Sequence, residues 1–221
     1  MNSDRQNKLI TGIDIGTTAT RVVIAEIVNK KNFKILGYGE APNFGIKKGI
    51  VESVTKSAES LEEAVEIAEK QAGVDVEYVT VGVTGPQIRG INNTGVITVN
   101  SPGKELLNEK EISQIDINRV LEHTKAVTLP PDRRVLHVLP QEFNVDEHKG
   151  IKDPLGMVGH RLEASVHLVT SDVRNEKNIQ TCLRNAGLEI KQFVLNPLAS
   201  AEAVLDHNEK NLGAAVVDIG G

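Results

Sequence analysis

The sequence predicts an α/β fold interrupted by a small inserted α+β subdomain, and three observations carry that prediction. The first is a strand-to-turn device, Gly12-Ile13-Asp14-Ile15-Gly16-Thr17-Thr18-Ala19-Thr20-Arg21, echoed about two hundred residues later by Ala215-Val216-Val217-Asp218-Ile219-Gly220-Gly221. The second is a long amphipathic helix beginning at Val54, with strand-like runs on both sides of it. The third is a change of pattern between Gly85 and about Ala164, after which the first pattern resumes.

The opening strand places Ile13 and Ile15 on a core face and Asp14 on the opposite one. If that strand is central, both faces are covered, and a dry carboxylate needs a partner such as a hydrated metal ion riding on a nucleotide. Gly16 allows a sharp turn and a close approach to a ligand. Thr17 and Thr18 add hydroxyl and amide donors suited to phosphate oxygens. The same ten residues also fit a plain strand ending in a Gly-Thr turn, with Asp14 satisfied by backbone amides. The echo at Asp218 favours the phosphate loop, because two copies of one device imply two related lobes that each present a loop to a shared cleft. The second copy stops at Gly221, where its turn would continue, so the chain is expected to be the first part of a longer protein.

Strands over 21–27 and 33–38, joined by the polar turn Asn29-Lys30-Lys31-Asn32, make an antiparallel meander at a sheet edge. The glycine-punctuated stretch 44–51 leads irregularly into the helix, with Lys47 and Lys48 solvated. In the helix, Val54, Ala58, Leu61, Val65, Ala68 and Ala72 follow a +4, +3 spacing between an N-cap at Ser53 and a stop at Gly73. Its other face carries Glu59, Glu62, Glu63, Glu66, Glu69 and Lys70, a solvated surface. A strand over 78–83 follows.

Within the insert, 95–99 reads as a strand. Asn108-Glu109-Lys110-Glu111 reads as a capping box opening a helix with Ile112, Ile115 and Val120 inward. The stretch 134–145, with Pro140 inside it, is an edge or bent strand neighbouring 161–169, and the turn-rich stretch 150–157 lies between them. Beyond the insert come a helix over 172–186 ended by Gly187, a strand over 189–195, a helix from Pro197 to about Asp206 and a terminal strand over 214–219. Asn196 before Pro197 is a good N-cap, which by itself explains the residue.

Composition bounds the function. At 221 residues and 39% apolar content the chain can bury a sizeable core, and its net charge of −5 without a basic run gives no sign of a nucleic-acid surface. The polar start has no apolar segment behind it, and no run approaches the length of a spanning helix, so a cytosolic location is expected. Cys182 stands with Ile179, Leu183 and Ala186 at helical spacing and reads as core filler. The six histidines show no ligand-like pairing, so no protein-ligated transition metal is expected.

With both Asp-Ile-Gly turns in place, the chain resembles the superfamily of actin, heat-shock chaperones and sugar kinases, in which two β-hairpin loops from two lobes clasp ATP and magnesium. Within it, the resemblance to the FtsA family of bacterial cell-division proteins runs from about Leu9 to Gly221. The most specific stretches are Arg134-Val135-Leu136-His137-Val138-Leu139-Pro140-Gln141-Glu142-Phe143 and Gly150-Ile151-Lys152-Asp153-Pro154-Leu155-Gly156-Met157. The resemblance implies an actin-like (ribonuclease H-like) α/β lobe over 1–84 and 166–213, an inserted strand-helix-strand-strand subdomain over 85–165, and at 214–221 the first strand of a truncated second lobe. It implies a protein that binds ATP with Mg2+, self-associates into filaments and tethers the FtsZ ring to the inner face of the membrane at the division site. The insert would meet other divisome proteins, and the membrane helix would lie in the missing half. No nucleic-acid partner is implied, and any ATPase activity would be weak.

Carried over by position, Asp14 and Asp218 would hold magnesium through water, and Gly16, Thr17 and Thr18 would cradle the β- and γ-phosphates. Asp218, Gly220 and Gly221 would begin the second phosphate loop. Arg21 stands where actin has a phosphate-contacting lysine, whereas FtsA-like chains often carry their basic residue two positions earlier, where this chain has Ala19. Its alternative is an exposed strand residue. Asn196 stands where relatives position an attacking water with a longer side chain, and the helix cap is the favoured reading. Two competing functions share the fold: a pilus-assembly binding module like PilM, and a small-molecule kinase, for which no acceptor base is evident.

Overall fold

The computed structural model describes residues 8–29, 32–99 and 111–219. Chain order runs β1 (Leu9–Ile15), β2 (Ala19–Ile27), β3 (Phe33–Pro42), β4 (Ile46–Lys47), β5 (Ile50–Val51), α1 (Val54–Ala72) and β6 (Tyr78–Val83). It continues through β7 (Arg89–Thr98), α2 (Gln114–Thr124), β8 (Arg133–Val145), β9 (His148–Ile151) and β10 (Arg161–Asp172). It ends with α3 (Val173–Asn185), β11 (Glu189–Leu195), α4 (Asn196–Val204) and α5 (His207–Leu212). The chain forms two compact units, Ile88–Asp172 and the residues on either side of it.

The flanking unit is built on a five-stranded sheet of order β11-β6-β1-β2-β3, in which β1, β6 and β11 are parallel and β1-β2-β3 is the expected meander. Ile13, Ile15, Val22, Ile24, Val79, Val81 and Val83 are buried. Alternation along β1, β2 and β6 puts them on one face, against α1 and α3. Helix α1 has the predicted ends. Ser53 accepts from the Lys56 amide, and Gly73 stops the helix in the left-handed region at φ 66°. Besides the apolar positions read from the spacing, Ser57, Ser60 and Ala64 are buried. They are small because α1 lies directly on β3: a Cβ on Gly37 would stand 2.2 Å from the Ala68 carbonyl, and one on Gly39 1.9 Å from that of Ala64. The irregular lead-in to α1 is a miniature hairpin, β4-β5, turned by Lys48 and Gly49 at positive φ. Asn175 at the start of α3 fastens it, accepting from the Val51 amide and donating to the Gly49 carbonyl.

The opposite sheet face carries the exposed side chains of Ile10 and Tyr78, and Phe33 joins them in lining an apolar groove of about 750 Å³.

The second unit is a four-stranded antiparallel sheet of order β7-β10-β8-β9 with α2 against one face. Val120, Phe143, Val145, Leu162, Ala164, Val166 and Leu168 form its core. Pro140 sits beside a register shift in β8, consistent with the predicted bend. The helix begins later than its expected opening. Ser113 and Asp116 form the capping box of α2, while Asn108, Glu109 and Lys110 lie outside the described residues. Ile112 and Val120 are buried, but Ile115 is 71% exposed, because a helix starting at Gln114 turns that position outward.

Two expectations about the C-terminal stretch are corrected. The helix expected to run to about Asp206 breaks at Leu205, which is extended, and Asp206 caps a separate short helix, α5. Residues 214–219 form no strand: a strand exists by pairing its N–H and C=O groups with a neighbour, and no described segment pairs with this one. Val217 and Ile219 are consequently 78% and 88% exposed.

Candidate functional site

The site lies in the flanking unit, at the carboxyl ends of the parallel strands, the place where open α/β sheets take ligands. Pairing sets Asp14 of β1 beside Gly82 of β6 on one side and Arg21 of β2 on the other, and Gly82 in turn beside Val194 of β11. Strand β1 turns into β2 through the two-residue loop Thr17-Thr18, closed by the Gly16 amide donating to the Ala19 carbonyl at 3.0 Å. A Cβ on Gly16 would stand 2.9 Å from that carbonyl, so the turn favours glycine. Among the described residues, the amides and hydroxyls of Thr17 and Thr18 have no hydrogen-bond partner.

Beneath the loop, fully buried Thr20 anchors the start of β2. Its hydroxyl accepts from Asn43 Nδ2 at 3.0 Å and from Ser60 Oγ at 2.9 Å, while Asn43 Oδ1 accepts from the Gly45 amide at 2.8 Å. This cluster ties the loop to α1 and to the turn after β3. Sequence reading missed it; the signal was a serine, Ser60, on the inward face of α1.

Asp14 is not the dry acid that the strand pattern implied: its side chain is 42% exposed, because its face of the sheet lies opposite α1 and α3. Its two oxygens have different surroundings. Oδ1 accepts from Asn196 Nδ2 at 2.8 Å. Oδ2 lies 4.0 Å from Arg21 Nη1 and 3.8 Å from where a Cβ on Gly16 would stand, so it is the oxygen on the loop side. Arg21 is braced from behind. Its Nη2 is 3.1 Å from Glu40 Oε1, and Tyr38 donates its hydroxyl to Glu40 Oε2. Donation from Tyr38 and then from Arg21 holds the Glu40 carboxyl below its ordinary range, and the same contact with Glu40 raises the Tyr38 phenol and the Arg21 guanidinium. Arg21 is therefore part of a row, Tyr38, Glu40, Arg21, Asp14, Asn196, that crosses the sheet. Neither expected reading of Arg21 included this bracing, and the part-exposed guanidinium stays at the edge of the loop.

The cap expected of Asn196 is not formed. Leu195 occupies the N-cap of α4 without any side-chain cap bond, and Asn196 is the first helical residue. Its amide crosses Gly82 to reach Asp14, and a Cβ on Gly82 would stand 1.9 Å from Asn196 Oδ1. A cap accepts through its side-chain oxygen from outside the helix, but the chain is still extended at Leu195 and Asn196 is already helical, so its Nδ2 donates to the carboxylate instead. Asp218 accepts from Ser200 on α4 at 3.1 Å, and Gly220 and Gly221 lie outside the described residues.

Open amides and hydroxyls beside a half-exposed carboxylate fit a phosphate accompanied by a hydrated cation. Among the described residues no cluster of three or more His, Cys, Asp or Glu forms a metal cage. A cation here would be held through water and by its ligand's oxygens. No helix among the described residues is long and apolar enough to cross a membrane.

Comparison with known proteins extends this picture. A family model described as the SHS2 domain inserted in FtsA matches residues 85–170. Over all 221 residues the chain is 38% identical to a curated cell division protein FtsA of Pseudomonas aeruginosa, and over 218 residues 35% identical to one of Neisseria meningitidis. In each case it spans about half the relative's length, 51%. Among solved structures, a PilM-PilN type IV pilus biogenesis complex matches at TM-score 0.54 and 17% identity, covering 87% of this chain and 49% of that one, a likeness of actin-like fold alone.

Proposed function

We propose that the chain, which matches FtsA cell-division proteins along its length, is the part of such an actin-like division protein that receives ATP and Mg2+ on its β1–β2 loop. The observation that carries this reading is the half-exposed Asp14 carboxylate standing beside unpartnered amides and hydroxyls of Thr17 and Thr18. In this reading the Thr17 and Thr18 donors and the Gly16 turn take phosphate oxygens, and Asp14 accepts from the cation's water. Arg21, braced by Glu40, balances the Asp14 charge at the loop's edge. Asp218, Gly220 and Gly221 would open a second phosphate loop. Asn196 is engaged with Asp14, which favours a weak ATPase at most.

For the whole protein, the proposal is a cytoplasmic filament-former that ties the FtsZ ring to the inner face of the cell membrane, with the insert meeting other divisome proteins. The test is calorimetry of Mg-ATP binding to the full-length protein, together with its position in dividing cells. Binding and a band at mid-cell are expected. Full-length protein that binds no Mg-ATP and spreads evenly through the cell would overturn the proposal.

A further inference from the structure

The row across the sheet contains one contact that the loop itself does not require. Asn196 donates Nδ2–H to Asp14 Oδ1 at 2.8 Å, from a helix that begins 182 positions later in the chain. The contact is possible only because the strand between them carries a glycine: the three atoms nearest to a Cβ on Gly82 all belong to the Asn196 side chain. Asp14 is paired with Gly82 by register, so any side chain there would stand between the amide and the carboxylate. A carboxylate at the end of a strand is free to rotate about its terminal torsion. Here one oxygen is committed to Asn196, and the other is left on the side of Gly16 and Arg21.

We propose that Asn196 is a positioning residue for Asp14, fixing which carboxylate oxygen faces the phosphate loop, and that Gly82 is the clearance that lets it do so. The proposal rests on the nucleotide reading above. Asn196 itself touches neither phosphate nor cation; it acts through Asp14. Its effect therefore falls on the cation-dependent part of nucleotide affinity and leaves the phosphate donors of Thr17 and Thr18 untouched.

The experiment measures ATP affinity of the full-length protein with and without Mg2+ by calorimetry, with melting temperature recorded alongside. Wild type is compared with Asn196→Ala, Gly82→Ala and the double variant. Glu202→Gln, which removes the exposed Lys210–Glu202 ion pair between α4 and α5, is the control. The expected result is that Mg2+ tightens ATP binding in wild type and control, and that this gain falls about tenfold in each single variant, as for a lost hydrogen bond to a charged group. Affinity without Mg2+ stays unchanged, and the double variant loses no more than either single one, since both remove the same contact. A gain that survives in Asn196→Ala, or a loss equal with and without Mg2+, overturns the positioning role and leaves the nucleotide reading standing. A wild type whose ATP binding shows no dependence on Mg2+ overturns that reading, and this inference with it.

Discussion

The backbone carbonyl of Ala64 stands 1.9 Å from the point where a Cβ on Gly39 would sit, so helix α1 rests on the bare backbone of β3. The nearest atoms are main chain, which cannot swing aside as a side-chain tip can. Gly39→Ala is therefore expected to destabilise the chain by about 1–3 kcal/mol, the usual range for overpacking. Urea denaturation monitored by circular dichroism checks it. Gly73→Ala, where a Cβ meets no atom within 4 Å, offers a contrast in which only the positive φ of 66° is penalised.

Glu40 gives the sheet a pH dependence of known sign. Its carboxyl lies below the ordinary glutamate value because Tyr38 and Arg21 donate to it, so its contribution to stability is present above that ordinary value and is lost as pH falls through the lowered one. The urea midpoint of wild type should exceed that of Glu40→Gln at pH 6, and the gap should close as pH falls below about 4.3. A gap that is constant down to pH 2.5, well below about 4.3, would assign the difference to something other than the charge.

Residues 214–219 are expected to exchange their amide hydrogens at nearly the rate of an unstructured peptide, since they have no ladder and Val217 and Ile219 are exposed. The amides of Ile13 and Val81, in paired strands, should be protected by orders of magnitude. Hydrogen exchange read by NMR distinguishes the two, and strong protection at Val217 would contradict the account.

Much of this fold was legible because its signals are local. Ser53 and Gly73 bracket α1, the meander is announced by its polar turn, and the two halves of the insert's sheet are separate apolar runs. What could not be read depends on which elements meet. Whether Asp14 is dry is decided by which face α1 and α3 cover, and the strand pattern alone is silent on that. Asn196 ahead of Pro197 satisfied a local rule for helix caps, but the helix starts one residue earlier, at Asn196 itself, and the acceptor its amide finds is brought close only by the order of β11, β6 and β1. The terminal stretch has the composition of a strand, but composition supplies no partner. The Thr20, Asn43 and Ser60 cluster joins three distant parts of the chain and leaves no trace in spacing beyond a serine among the inward positions of α1.

The central claim is that the β1–β2 loop receives a phosphate with a cation, and Asp14→Asn in an NMR titration with ATP and Mg2+ tests it most directly. The full-length wild-type protein should show its largest amide shifts at Gly16, Thr17 and Thr18 when both are present, and Asp14→Asn should weaken the Mg2+-dependent response at least about tenfold while keeping the dispersed spectrum of a folded protein. Shifts that centre elsewhere, or an undiminished Mg2+-dependent response in Asp14→Asn, would contradict it.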